Sequence, residues 1–157
     1  MIHTNSGSVL YIASAPGAPT ALSGTGGYTT LTWEEVGEIE DLGEFGDESE
    51  SVNFTALKDA RVRKLKGPRD AGTMTIVCGD DMLDDGQIAM EAAEATPLDW
   101  PFKVVMNDAI TLGGDNSEHY FFGKVMSKRR NAGNASNVVR RSFGVGINSE
   151  ILSVDPS

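Results

Sequence analysis

The stretch DDMLD, Asp80 to Asp84, is the densest candidate chemistry in the chain. DDxxD is the pattern with which prenyl-transferring enzymes hold magnesium against a diphosphate, on a long helix facing a second acidic cluster. Here Gly79 and Gly86 interrupt any long helix. Asp84 also stands where a helix N-cap is expected, with Gln87 three residues on as the reciprocal partner of a capping box. Capping is therefore the stronger reading, and calcium binding is weaker still, because the alternating ligands and terminal Glu of a calcium loop are missing. The other reactive side chains fail to form a set. His3 and His119 are the only histidines, and no GxSxG accompanies them. Cys78, the single cysteine, ends an apolar run and reads as a small buried hydrophobe. Gly24 and Gly26 form a GxG with no helix expected after it, so a nucleotide site is not indicated. Trp33 and Trp100 flank expected strands and read as core or interface anchors. We expect no enzyme, no metal and no cofactor.

Charge is where the sequence departs from the ordinary. The chain of 157 residues carries 13 Lys+Arg against 23 Asp+Glu, a formal net charge of -10. From Glu34 to Glu50 there are acids and no base, including Glu38, Glu40, Asp41, Glu44, Asp47 and Glu48. Immediately afterwards come Lys58, Arg61, Arg63, Lys64, Lys66 and Arg69. Two solvated loops of different sign would be the plain explanation. The sharper one is that acidic and basic surfaces meet between identical subunits. Patches facing different directions make a heterologous contact, which repeats into rings or stacks. Opposite charges then set register and orientation more than affinity. These twelve residues are the candidate intersubunit site.

The elements that must position them are mostly strands. SVLYIA (Ser8 to Ala13), LTWEEVGEI (Leu31 to Ile39), VNFTAL (Val52 to Leu57), TMTIVC (Thr73 to Cys78) and FKVVM (Phe102 to Met106) carry β-favouring residues. HYFFGKVMS (His119 to Ser127) and the long run Val138 to Val154 follow. In that run Val139, Arg141, Phe143, Val145 and Ile147 share one face, and Arg140, Ser142, Gly144 and Gly146 the other. Its length exceeds that of an ordinary strand in a small free-standing domain, a second hint of assembly. One helix is expected after Asp84, with Leu83 and Ile88 as a hydrophobic staple. Ile88, Ala92 and Ala95 would form its packing face, with Gln87, Glu91 and Glu94 toward water and Pro97 as the stop. The Ser/Ala/Pro/Gly/Thr-rich residues 14–30 read as a flexible loop and residues 40–72 as a charged loop region. The sum is a single mainly-β domain over 1–157: a β-sandwich or half-open barrel with one flanking α-helix.

Composition bounds the class. With 39% hydrophobic and 23% charged residues the chain is a globular domain able to build a core. One cysteine excludes a disulfide framework. No apolar run reaches the length of a membrane helix, and MIHTNSGSVLYIA does not read as a secretory signal. Net acidity argues against gripping nucleic acid by its phosphates.

The segment WEEVGEIEDLGEFGDESESVNFTALKDARVRKLKGPRDAGTMTI resembles the central region of major tail tube proteins of long-tailed (siphovirus-type) bacteriophages. A Trp-led strand (Trp33) is followed by an acidic loop punctuated by Gly37, Gly43 and Gly46. A strand ending near Leu57, a basic turn at Lys66-Gly67 and an Asp70-x-Gly72 step lead into TMTI. Asp85-Gly86-Gln87 opening an Ala-rich helix and the long C-terminal strand fit the same order. The resemblance covers the chain from about Trp33 onward and implies a tail-tube-like fold, with hexameric rings stacking into a hollow tube through which DNA passes without specific binding. It also implies tape measure, tail tip and terminator proteins as partners, a place in the virion tail after assembly in the host cytoplasm, no membrane and no catalytic residues; an extra C-terminal domain of the kind some family members append is not expected in this sequence. The rival expectations are a stand-alone β-sandwich binding module, the inner tube of a contractile injection device, and a metal enzyme using Asp80, Asp81 and Asp84.

Overall fold

A strand of fourteen residues, β8 (Glu118–Asn131), is the spine of the molecule. The computed structural model describes residues 2–17 and 24–157. In chain order they form β1 (Val9–Ala13), α1 (Gly24–Thr29), β2 (Trp33–Val36), β3 (Ile39–Asp41), β4 (Glu48–Thr55), β5 (Val62–Asp70), β6 (Thr73–Gly79), α2 (Asp85–Glu94), β7 (Trp100–Val105), β8, β9 (Arg140–Ile147) and β10 (Leu152–Val154). Eight strands make one sheet in the order β2-β1-β7-β8-β9-β6-β3, with β10 also on β8, and β4-β5 form a separate two-stranded sheet. Every pairing is antiparallel.

The two edges of the large sheet, β2 and β3, are consecutive in sequence, joined only by Gly37 and Glu38. The three Cα–Cα steps from Val36 to Ile39 span at most about 11 Å. The sheet must therefore curl until its edges nearly meet, which is the half-open barrel expected, and Glu38 turns the corner in a left-handed conformation (φ 57°). Strand twist supplies the curl. The concave side is filled by Leu10, Ile12, Val36, Met74, Ile76, Phe102, Val104, Phe121, Phe143, Val145 and Ile147, all buried. Phe102 and Phe121 stack with ring centroids 5.5 Å apart.

Helix α2 packs against β2, β1 and β8. Gly86 is pressed so closely on β2 that a Cβ there would collide with the Glu35 carbonyl. Asp84 caps the helix as expected, accepting from Gln87 N at 2.9 Å, and also accepts from Gly37 N at 3.0 Å. The rest of the expected helix start needs correction. Gln87 is buried, not solvent-facing, and closes no capping box. It donates to the Gly79 and Gly37 carbonyls (2.8 and 3.2 Å) and accepts from Asp81 N (3.2 Å), stitching the β2–β3 corner to β6. Leu83 and Ile88 are both exposed and form no staple. The packing face is Gly86, Gln87, Met90 and Ala93, so Ile88, Ala92 and Ala95 point outward. The physical reason is Gly86: the close approach it permits fixes which side of the helix meets the sheet.

Other expectations shift in smaller ways. The long C-terminal run is two strands, β9 and β10, with Asn148–Ile151 between them, both following β8. Arg141, Phe143, Val145 and Ile147 do share the buried face of β9. Leu31 to Ile39 is broken at Gly37 and Glu38, where the chain passes from one sheet edge to the other. Of the expected flexible loop 14–30, residues 18–23 lie outside the described residues, and Gly24–Thr29 are helical despite two internal glycines. Tyr28 explains the override of weak propensity. It is buried against Tyr120 and Phe122 on the convex face of the sheet (centroids 5.0 and 5.3 Å), and its backbone carbonyl accepts from Trp33 Nε1.

Candidate assembly interface

Residues 40–72, expected as a charged loop, are for the most part an ordered hairpin that stands off the barrel. Its strands β4 and β5 pair from Glu48↔Asp70 to Thr55↔Val62. Eight residues at about 3.3 Å each give an arm of roughly 25 Å. Gly67 and Pro68 face the single Glu50, a bulge that tolerates the missing N–H of proline and bends the arm. Beyond the bulge the two faces differ. Val52, Phe54, Leu65 and Arg63 share one; Ser51, Asn53, Thr55, Val62, Lys64 and Lys66 share the other. The tip carries Leu57, Lys58 and Arg61, and Asp59 bonds both Arg61 N and the Arg63 guanidinium (3.2 and 2.8 Å).

This arm has no core of its own. Val52, Phe54 and Leu65 are 46%, 54% and 58% exposed. A two-stranded hairpin alone in water is marginal, and among the described residues nothing pairs with either outer edge of this one. Only its root is held. Phe45 packs on His119 and Phe121 (5.5 and 6.4 Å between centroids), Ala71 joins the core, and Arg69 pairs with Asp47 at 2.9 Å. Two clefts, of about 540 and 470 Å³, flank that root.

The twelve charged residues singled out from the sequence are thus sorted by position. Lys58 and Arg61 are at the tip, Arg63, Lys64, Lys66 and Arg69 along β5. Glu38 is at the barrel corner, Glu40 and Asp41 on the edge strand β3, and Glu44, Asp47 and Glu48 at the arm's root. Within the chain the structure brings one acid–base pair of the set together, Arg69 with Asp47, while Glu40 pairs instead with Arg140 on β9. Arg63 pairs outside the set with Asp59 at the tip, and Lys58, Arg61, Lys64 and Lys66 form no ion pair among the described residues.

Residues that sequence reasoning passed over complete the surface. Val52 and Phe54 are legible in VNFTAL as strand residues, and the charged run VRKLK that pairs with them is the signal that they have no buried partner in their own hairpin. The exposed face of α2, with Met82, Leu83, Ile88, Ala92 and Ala95, was concealed by the expected staple. Arg141 is almost fully buried and binds α2 to the sheet, with Nη2 3.1 Å from Glu91 and Nε 3.5 Å from Asp80. Its hydrogen bond holds the Glu91 carboxyl below the usual range, against a smaller opposing effect of burial.

The candidate catalytic groups are all occupied structurally. Asp80 pairs with Arg130 at 2.9 Å, Asp81 accepts from Leu83 N, and Asp84 caps α2. Among the described residues no three His, Cys, Asp or Glu converge as metal ligands would. Burial pushes the Cys78 thiol up to about 11, with the nearby Arg141 charge opposing, and lowers His119. His119 Nδ1 lies 2.8 Å from Ser153 Oγ.

No protein-family model matches the sequence, and no curated protein matches it. Solved structures do match the fold. The sheath/tube terminator of the PVC extracellular contractile injection system in its extended state superposes with a TM-score of 0.68 at 7% identity, covering 98% of this chain and 97% of that one. A chain of the anti-feeding prophage (AFP) baseplate gives 0.67 at 6%, covering 94% and 91%. The SPP1 tail tube gives 0.59 at 14%, covering 94% of this chain and 77% of that one. The chain therefore has a mainly-β, tail-tube-like fold, shared along almost its whole length with components of phage tails and contractile injection machines.

Proposed function

We propose that this protein is a non-enzymatic structural subunit of a phage-type tail tube, closing into hexameric rings that stack into a hollow tube for DNA. The observation that carries this reading is the arm β4–β5: about 25 Å of ordered hairpin with an apolar face, a row of bases and no covering element. Its residues stay dry only against another molecule. The tail-tube-like fold supports a sister copy as that molecule, and the charge arrangement supports a heterologous, repeating contact. A net charge of -10 suits a conduit along which DNA slides without counterion-releasing grip. The reading places the protein in the virion tail, with tape measure, tip and terminator proteins as further partners, no membrane and no cofactor.

Negative-stain imaging and sedimentation of the purified chain test this directly. Rings or tubes are expected; a monomer at millimolar concentration would remove the reading. Reversing Arg61, Arg63 and Lys64 to Glu is expected to stop stacking while the circular dichroism of the barrel is unchanged. Normal polymerisation of that variant would detach the basic residues from assembly. The inner tube of a contractile device is the second reading, favoured by the two injection-system components that match with nearly complete coverage of both chains. Imaging of native particles separates them by the presence or absence of a sheath around the tube.

A further inference from the structure

Exposed large apolar side chains gather in two main places, and the two are electrostatic opposites. One is the arm, with Val52, Phe54, Leu57 and Leu65 among Lys58, Arg61 and Arg63. The other is the outward side of α2 and the turn before it. Met82 and Leu83 are 74% and 89% exposed there, Ile88 is half-exposed, and Ala92 and Ala95 continue the same side of the helix. Asp81 and Asp85 adjoin this second patch in the chain, and Gly37, next to the exposed corner residue Glu38, is bound by the cap Asp84 and the buried Gln87. The segment Asp70 to Phe102 itself contains no lysine or arginine, and the bases that reach it from β8 and β9 are already paired, Lys128 with Glu91 and Glu94, Arg130 with Asp80 and Arg141 with Glu91. Neither patch covers the other within one molecule, since both are exposed in the same structure.

We infer that the apolar and basic face of the arm lies across the outward face of α2 in a sister copy, with Phe54 and Leu65 on Ile88 and Leu83 and with Arg61 and Arg63 toward Asp85 and Glu38. This rests on the assembly reading above and names the surface that receives the arm. The edge strand β3 is the competing receptor. It is only three residues long, its Glu40 is already paired with Arg140, and its exposed side chains are the acids Glu40 and Asp41. An arm added there would satisfy backbone groups and leave Val52, Phe54 and Leu65 wet. The α2 face satisfies both requirements, apolar contact and opposite charge. A small-residue helix face such as Ala92 and Ala95 also lets a flat hairpin approach closely.

Cysteine cross-linking tests the contact, with Cys78 buried and its thiol held protonated. Phe54→Cys with Ile88→Cys is expected to give a ladder of covalent multimers on oxidation of the assembled protein, because each copy both donates and receives an arm. Phe54→Cys with Asp41→Cys is expected to stay monomeric on the same gel. The opposite pattern, or no ladder from either pair, overturns the inference. Should the cysteine variants fail to assemble, charge exchange decides. Arg61→Glu with Arg63→Glu, and separately Glu38→Lys with Asp85→Lys, are each expected to raise the critical assembly concentration about tenfold or more, and all four together to bring it back to within roughly threefold of the unmodified chain. No recovery overturns the docking. Sedimentation of the unmodified chain is run alongside: if that chain stays monomeric, the assembly reading falls and the docking with it, whereas polymer without the α2 cross-link removes the docking alone.

Discussion

The barrel and the arm are built from similar strand lengths and opposite logic. In the barrel, alternation puts Phe102, Phe121, Phe143 and Val145 inside, and α2 adds Met90 and Ala93 to the same core. In the arm, Val52, Phe54 and Leu65 alternate just as regularly, yet no layer covers them. Sheets become stable by burying one face. A chain that builds one sheet to completion and leaves the other half-made has the missing layer elsewhere, and the arm's charge and shape suit a copy of itself.

The contrast can be broken most completely by excision. Replacing Glu48–Asp70 with a short Gly-Ser linker is expected to leave the barrel's thermal unfolding nearly unchanged while abolishing polymer in sedimentation. Loss of the barrel's cooperative transition would show that the arm belongs to the fold and not to the interface. The next largest effect separates two phenylalanines. Phe121→Ala, in the barrel, is expected to cost about 3–5 kcal/mol in chemical denaturation, whereas Phe54→Ala costs under about 0.5 kcal/mol in the monomer and shows its effect in the critical concentration. Equal costs in the monomer would contradict the division.

Gln87→Ala comes third. It removes the partner of two carbonyls and one N–H at the barrel corner, with an expected loss of about 2–3 kcal/mol. A change below that scale would mean that the corner is held by Gly86 and Asp84 alone.

The smallest effect is in acid and concerns the barrel only. Ser117 holds the Asp108 carboxyl below its usual 3.8; for Asp99 burial is the largest single effect and pushes up, but Lys124 and Asn148 together outweigh it and hold the carboxyl below 3.8 as well. Glu91, bonded by Arg141, lies below its usual 4.5. Folded values below unfolded ones mean that the stability is complete above those ordinary values and is lost as pH falls through them toward the folded values. His119, lowered by burial, adds a loss that begins as pH falls below 6.5. Denaturation midpoints between pH 6.5 and 3 should decline, and Asp108→Asn should flatten the acid end; an unchanged slope would contradict the Ser117 assignment.

Legibility in the sequence followed how local each cause was. β1, β6, β7 and the inward face of β9, Arg141 included, are visible because period-two alternation is a property of neighbouring residues. The Asp84 cap is visible for the same reason. The face of α2 was not, because it depends on Gly86 meeting the Glu35 carbonyl of a strand far away in sequence. Helix α1 was hidden by two glycines and a threonine-rich context, since only the aromatic cluster of Tyr28, Tyr120 and Phe122 stabilises it. The charge blocks were legible as blocks. That the bases ride on a projecting strand while most of the acids stay on the body or at the arm's root required the pairing of Glu48–Thr55 with Val62–Asp70.

Hydrogen–deuterium exchange over Glu48–Asp70, compared between dilute chain and assembled material, addresses the half-built sheet most directly. The arm's amides should exchange rapidly in the free chain, far faster than those of β8 and β9, and become protected on assembly together with the exposed side of α2. Slow exchange of the arm in the dilute monomer, or an arm that stays unprotected within a formed polymer, would show that the hairpin is not completed by a sister copy.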